Sequence, residues 1–267
     1  MKKIFANLLL FATSFISLYP FYTMLMLGTY KTSQLSQGLK LLPGNYMFKN
    51  LETVFTAPYG LYYLNSVYIA ILNVLLVLLL STLCAYGLTK FHFKGSQALF
   101  MIIIATMLIP GQLSTVAFII EMKSFGLLGT HLPLILPAAS PFAVFWFSSY
   151  MRDGVPNELT DAARIDGCHE FSIFFRIVLP LIKPALGTMA LLAFLGSWNN
   201  FMVPMIILNK PEMYTLPIGV KNFGNAYLRD TAAQILALNL AVFPVLIVFA
   251  IFNKNMIRNI AAGAIKG

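Results

Sequence analysis

Long apolar runs alternate along this chain with short polar segments. A helix that crosses a bilayer needs about 20 mostly apolar residues. Six runs meet that length, at about 4–28, 63–89, 98–120, 132–151, 184–208 and 232–253. The pattern predicts an all-α integral membrane protein with six transmembrane helices, in a single transmembrane domain covering residues 1–267. Pro20, Pro110, Pro137, Pro141, Pro204 and Pro244 fall inside these runs. Bundled membrane helices accommodate proline because neighbouring groups satisfy the freed carbonyls. The first run comes after Lys2 and Lys3, as the core of a secretory signal does. It is too long for such a core, and its exit through Leu25-Met26-Leu27-Gly28-Thr29-Tyr30 offers no small-x-small cleavage site. It therefore reads as a retained helix.

Composition agrees. The chain is 59% hydrophobic and 10% charged, with a mean hydropathy of +0.80. A soluble domain carries about 25% charged residues, so these few charges would leave a water-facing surface uncovered. The net charge of +9 does not form a basic stripe with interleaved aromatics, and nucleic acid is not an expected partner. The bases cluster at the ends of apolar runs, where they orient the chain in the membrane lipid. Lys2, Lys3, Lys90, Lys94, Arg152, Arg164, Arg176, Lys183, Lys254, Arg258 and Lys266 lie on one set of short segments. Lys31, Lys40, Lys49, Lys123, Lys210, Lys221 and Arg229 lie on the other. The first set then faces the cytoplasm, with both termini, the loop at 90–97 and the loop at 152–183. The outer loops are 29–62, 121–131 and 209–231. Cys84 and Cys168 have no CxxC partner. His92, His131 and His169 show no metal-ligand spacing.

The apolar runs contain no Asp, Glu, Lys, Arg or His. Proton-coupled carriers and membrane-embedded enzymes usually need such groups at mid-membrane, so both classes lose ground. Sodium coupling stays open, since carbonyls and hydroxyls hold sodium, and a stand-alone ion-coupled carrier remains an alternative. The chain has no phosphate-binding loop of the G-x-x-x-x-G-K-[ST] type, so it is expected to be no enzyme and to hold no cofactor. If solute moves uphill, the energy arrives from another subunit, and the largest cytoplasmic loop is the natural place to dock it.

That loop, about 152–183, holds five of the nine acids in the protein. Two short helices explain it. The first begins near Pro156, with Glu158 near the positive end of its dipole. Leu159, Ala162 and Ala163 are expected to share one shallow face. Asp161 and Arg164 have the spacing of an i, i+3 ion pair, and Gly167 ends the helix. The second helix is expected to carry Phe171, Phe174, Phe175 and Val178 on one amphipathic stripe. Pro180 and Pro184 mark the turn into the fifth run. Periodicity alone fits a solvated elbow as well as a docking site.

The same residues resemble a known family. Permease subunits of binding-protein-dependent ABC importers carry the motif EAA, three residues, Gly, nine residues, then I-x-L-P. Here the chain reads Asp161-Ala162-Ala163, three residues, Gly167, nine residues, then Ile177-Val178-Leu179-Pro180. The departure is Asp161 for Glu, which keeps the charge. Asn65-Ser66, Tyr86, the stretch from Phe91 to Gly95, Ile109-Pro110 and Trp198-Asn199 are similar to the carbohydrate-uptake branch of maltose type. The likeness covers about residues 60–220.

The resemblance implies a MetI-like permease fold in a bacterial cell membrane, with a cytoplasmic coupling helix. It implies a second homologous permease, two ATPase subunits that hold the ATP and magnesium, and an extracytoplasmic solute-binding protein. Asp161, Ala162 and Ala163 would face the ATPase. Gly167 would make the bend, and Ile177, Leu179 and Pro180 would brace the elbow. Sugar or oligosaccharide is the implied solute, with glycerol phosphate or amino acids as alternatives for the same machinery. Trp198, Asn199 and Asn200 in the fifth run suit a sugar, by aromatic face and amide hydrogen bonds. They also suit helix-to-helix contact, which the sequence favours. Asn209, Lys210, Pro211 and Glu212 fit either a binding-protein contact or a solvated turn.

Overall fold

The structure is a computed structural model that describes residues 2–137, 140–222 and 230–264. Among the described residues every regular element is helical. In chain order the α-helices are α1 (Lys2–Leu27), α2 (Met47–Thr56), α3 (Tyr59–Lys90), α4 (Ser96–Thr106), α5 (Gly111–Ser124), α6 (Leu132–Ile135) and α7 (Pro141–Gly154). They continue as α8 (Asn157–Ile165), α9 (Glu170–Ile173), α10 (Leu179–Leu181), α11 (Lys183–Trp198), α12 (Met202–Ile207), α13 (Leu216–Asn222) and α14 (Thr231–Ala264).

Four stretches are long and apolar enough to cross a membrane: Ile4–Leu27, Tyr59–Lys90, Lys183–Ile207, which holds α11 and α12, and Thr231–Phe252. The expected third and fourth runs are each two helices. The third breaks between α4 and α5 at Pro110, which has an extended ψ of 126° and leads into α5. The fourth breaks between α6 and α7, where Pro141 takes the first turn of α7 and Ser140 accepts a bond from the Ala143 N–H. Proline has no N–H to donate and disfavours helix in the residue before it, so these prolines start new helices. Pro20 and Pro244 do lie inside continuous helices. The break in the fourth run is satisfied from α3, since Asn73 Nδ2 donates to the carbonyls of Leu134 and Ile135 at 3.4 and 3.5 Å. The outer loop expected at 209–231 lies partly outside the described residues, as do the side chains of Lys2, Lys3, Arg229, Lys254, Arg258 and Lys266.

The chain divides into two compact units, Met1–Asn65 with Tyr214–Leu246, and Ser66–Met213 with Ile247–Gly267. In the first unit, Thr32 Oγ1 donates to Asp230 Oδ1 at 2.7 Å and accepts from the Ala232 N–H at 3.0 Å. Tyr59 donates to the Ala237 carbonyl at 2.9 Å. A Cβ on Gly219 would stand 2.0 Å from the Tyr62 ring, so only glycine fits there. From Ile4 to Tyr22 every side chain of α1 is exposed, although most are apolar. Lipid, unlike water, exacts no penalty for that surface.

The second unit holds a core of Val77, Ala85, Tyr86, Ala143, Phe147, Met151, Ile173, Phe174, Val178, Ile182, Ala185 and Met189, with Val155 and Ala163 at its edge. These side chains come from α3, α7, α8, α11 and the segment between α8 and α11. The elbow at 152–183 is therefore built into the core of this unit.

Candidate functional site

The elbow folds as two helices joined at Gly167. Extended backbone at Pro156 leads into α8, whose first turn carries Glu158. At the other end the Gly167 N–H donates to the Arg164 carbonyl and the Cys168 N–H to the Ala163 carbonyl, each at 3.0 Å. This pair of bonds is the Schellman ending, and it requires a left-handed residue. Gly167 supplies it, with φ +77°. A Cβ there would meet nothing within 4 Å, so the demand is conformational and not one of space.

Two cations fasten α8 to the last turn of α3. Lys90 is buried, with 6% exposure. Its Nζ donates to the Val155 carbonyl and, at 2.8 Å, to Asn157 Oδ1, the residues on either side of the start of α8. Arg164 holds the other end. Its Nε donates to Glu170 Oε1 at 2.7 Å, one terminal nitrogen to Asp161 Oδ1 at 2.8 Å, and the other to the Lys90 carbonyl at 3.3 Å. The guanidinium also lies 5.5 Å from the centre of the Phe91 ring. Tyr86 completes the joint by donating to Glu170 Oε2 at 2.5 Å, while its ring packs on Phe91 and Phe174.

The electrostatics derive from this geometry. The Arg164 hydrogen bond holds the Glu170 carboxyl below its ordinary range; burial works against the shift, and the Tyr86 hydroxyl adds to it. The same bond to Glu170 pushes the Arg164 guanidinium further up. Both side chains are about a third exposed, so the value lies more in fixed geometry than in energy.

The second helix departs from the expected stripe. α9 widens into a π-helical segment over Phe174–Val178 before α10. Each π turn inserts a residue and rotates the side chains beyond it. Ile173, Phe174, Val178 and Ile182 become the buried face, while Phe171 and Phe175 are exposed. The expected grouping of Phe171 and Phe175 with Phe174 and Val178 is thus corrected, because it assumed unbroken α-helical spacing.

The shallow face on α8 is divided in the same way. Asp161 and Ala162 are exposed, as is Leu159, but Ala163 is buried against the chain's own core. It lies inside the unit and not on the surface open to another protein. Gly167 and Pro180 are exposed, while Ile177 and Leu179 are half-buried and pack against the core.

The fifth run breaks after Trp198, and Asn199 caps α11. Trp198 is buried and stacks on Phe194, with ring centres 5.5 Å apart and planes at 18°. Asn199 is exposed and Asn200 half-buried, in the non-helical link before α12. At 1.5 Å per residue, Trp198 lies roughly 24 Å along α11 from Ile182. The two sets of candidate residues are therefore separate places in one unit. Lys90, Tyr86, Phe91 and Glu170 were missing from the expected elbow site. The Arg164–Glu170 bond spans six residues across a reversal, so no helical spacing announces it.

Comparison with known proteins extends these observations. Residues 77–261 match the family model described as binding-protein-dependent transport system inner membrane component. The chain is 35% identical over 95% of its length, and 93% of the relative's, to the arabinooligosaccharides transport system permease protein AraQ of Halalkalibacterium halodurans. It is 30% identical to the diacetylchitobiose uptake system permease protein NgcG of Streptomyces coelicolor, over 98% of this chain and 88% of that one. It is 31% identical to the lactose transport system permease protein LacG of Rhizobium radiobacter, over 95% and 92%. Its fold is similar to a chain in the crystal structure of a bacterial ABC transporter involved in import of the acidic polysaccharide alginate. There the TM-score is 0.83 at 22% identity, over 94% of this chain and 95% of that one.

Proposed function

The chain belongs to the binding-protein-dependent transport system inner membrane components, and from that premise we propose that it forms half of the translocation pathway of an ATP-driven importer for a sugar or oligosaccharide. The names of AraQ, NgcG and LacG, all permeases for saccharides, support the solute class. A second homologous permease completes the pathway. Two ATPase subunits hold ATP and magnesium, and an extracytoplasmic binding protein delivers the solute. The chain acts as one transmembrane domain with both termini cytoplasmic. It crosses the membrane six times, the third and fourth crossings as the broken pairs α4–α5 and α6–α7.

The exposed side of α8 supports docking: Glu158, Leu159, Asp161, Ala162 and Ile165 are open, with Ile165 86% exposed. The observation that carries the reading is the fastening behind that surface. A load applied to α8 reaches α3 through Lys90 and Arg164, and reaches α11 through Val178 and Ile182. Coupling requires that the ATPase bind two arrangements of the bundle with different strength, and a rigid joint lets α8 report that arrangement. Gly167 sets the bend, and Ile177 and Leu179 steady the second helix. In the pathway, Asn199 and Asn200 offer amides on non-helical backbone, which at membrane depth belongs beside protein or a water-filled cavity. Trp198, covered by Phe194, holds the helix in place.

The test uses the chain reconstituted with a second permease and the ATPase. Ala162→Trp should leave insertion and assembly of the two permeases intact and abolish solute-stimulated ATP hydrolysis. Uptake by this chain alone in liposomes, driven by a sodium gradient, would sink the importer reading.

A further inference from the structure

The segment between the first two membrane helices presents an apolar face that the chain itself does not cover. α2 divides into three sectors. Asn50 and Val54 are buried. Lys49, Glu52 and Thr56 form an exposed polar sector. Met47, Phe48, Leu51 and Phe55 form a third, spanning about 100° of the helix circumference at 100° per residue. Phe48 is 84% exposed and Phe55 64%. A helix with one buried and one wet sector is an ordinary surface helix. A third sector, apolar and open at Met47, Phe48 and Phe55 with Leu51 half-buried between them, calls for a neighbour that is neither water nor the chain's own core.

The depth of α2 is fixed by its bonds. Asn50 Nδ2 donates to the carbonyls of Gly28 and Tyr30 at 2.9 and 2.8 Å, just past the end of α1. The Tyr46 N–H donates to the Thr29 carbonyl at 2.9 Å. The helix is therefore tied to the point where α1 leaves the membrane. Tyr30 donates to the Leu42 carbonyl at 2.8 Å, and Tyr22 to that of Leu41. Tyrosines gather at this end of the unit, as they do at headgroup level in membrane proteins. Residues 28–58 contain three lysines (Lys31, Lys40, Lys49) against one acid, Glu52. Lys31 and Lys40 stand 5.1 and 4.9 Å over the rings of Tyr46 and Tyr30.

We propose that α2 is an interfacial helix: its Met47, Phe48, Leu51 and Phe55 sector lies in the boundary between headgroups and acyl chains, and the three lysines meet anionic lipid. Burying apolar area while placing bases against anionic headgroups is the binding mode of such helices. The inference rests on α1 crossing the bilayer and not on the importer reading. In the assembled complex, spin labels are placed by Phe48→Cys or Phe55→Cys, and by Lys49→Cys or Thr56→Cys, with Cys84 and Cys168 replaced by serine. The vesicles contain phosphatidylethanolamine and phosphatidylglycerol. Labels at 48 and 55 should collide severalfold more often with oxygen, which concentrates in lipid, than with a water-soluble nickel chelate. Labels at 49 and 56 should show the reverse. Equal access of the chelate to all four positions overturns the proposal. So does exclusion of both reagents from 48 and 55, the result if another subunit covers the sector.

Discussion

Gly167 and Glu170 each depend on one physical condition, and each condition can be changed alone. At Gly167 the space is open but φ is +77°. Alanine should therefore cost about 1 kcal/mol, the left-handed penalty of an L-residue, and should lower the melting temperature of the purified chain only slightly. Proline at the same position also removes the N–H that reaches the Arg164 carbonyl. Gly167→Pro should insert normally yet lose solute-stimulated ATP hydrolysis in the assembled complex; full stimulation would reject the role of the bend. Glu170 makes a prediction in pH. Its folded value is held below the ordinary one, first by Arg164. The stability it contributes is present above the ordinary glutamate value of about 4.3, and is lost as pH falls through the lowered folded value. Amide protection in residues 157–170, taken relative to the intrinsic exchange rate at each pH, should fall on acidification across that window, and Glu170→Gln should remove most of the dependence. An unchanged acid response in the variant would place the titrating group elsewhere.

At the scale of elements, the sequence was most legible where one local rule decides. The i, i+3 pair of Asp161 and Arg164 forms at 2.8 Å, and Gly167 closes α8 as its position after the last apolar residue implies. The long runs became helices. Two features escaped. Pro110 and Pro141 split runs that hydropathy joins, because a hydropathy window does not weigh a missing N–H. The π-helical turn at Phe174–Val178 turned the second elbow helix, because a fixed 100° step cannot register an inserted residue. The joint between α3 and α8 was hidden for a different reason. Lys90 and Asn157 are 67 residues apart in the chain, and only the fold brings them together. Lys90→Met keeps the length of the side chain and removes its donors. It strands the Val155 carbonyl and Asn157, which should cost about 1–3 kcal/mol. Because α3 and α8 would then move separately, the variant should hydrolyse more ATP per solute carried while still binding the ATPase. A simple loss of both activities in proportion, with the ratio unchanged, would mean that Lys90 serves folding only.

For the molecule as a whole, the two cysteines act as built-in reporters. Cys168 is exposed immediately after Gly167, and Cys84 is half-buried within α3. Neither is paired with the other or with a further cysteine, since the chain has two and both are free. A membrane-impermeant maleimide added to whole cells should spare Cys168 if the elbow is cytoplasmic, and should label it in inverted vesicles. Labelling from outside would reverse the orientation, and with it the side on which an ATPase can dock. The same residue then tests assembly. Its thiol sits at the end of α8, beside the proposed contact surface, so adding the ATPase to inverted vesicles should slow its labelling. Cys84 should react slowly in every arrangement, because its helix lies in lipid and among its neighbours. A Cys168 that reacts equally fast with and without the ATPase would leave α8 undocked. The joint of Lys90, Arg164 and Glu170 would then be only a stiff corner between two membrane helices.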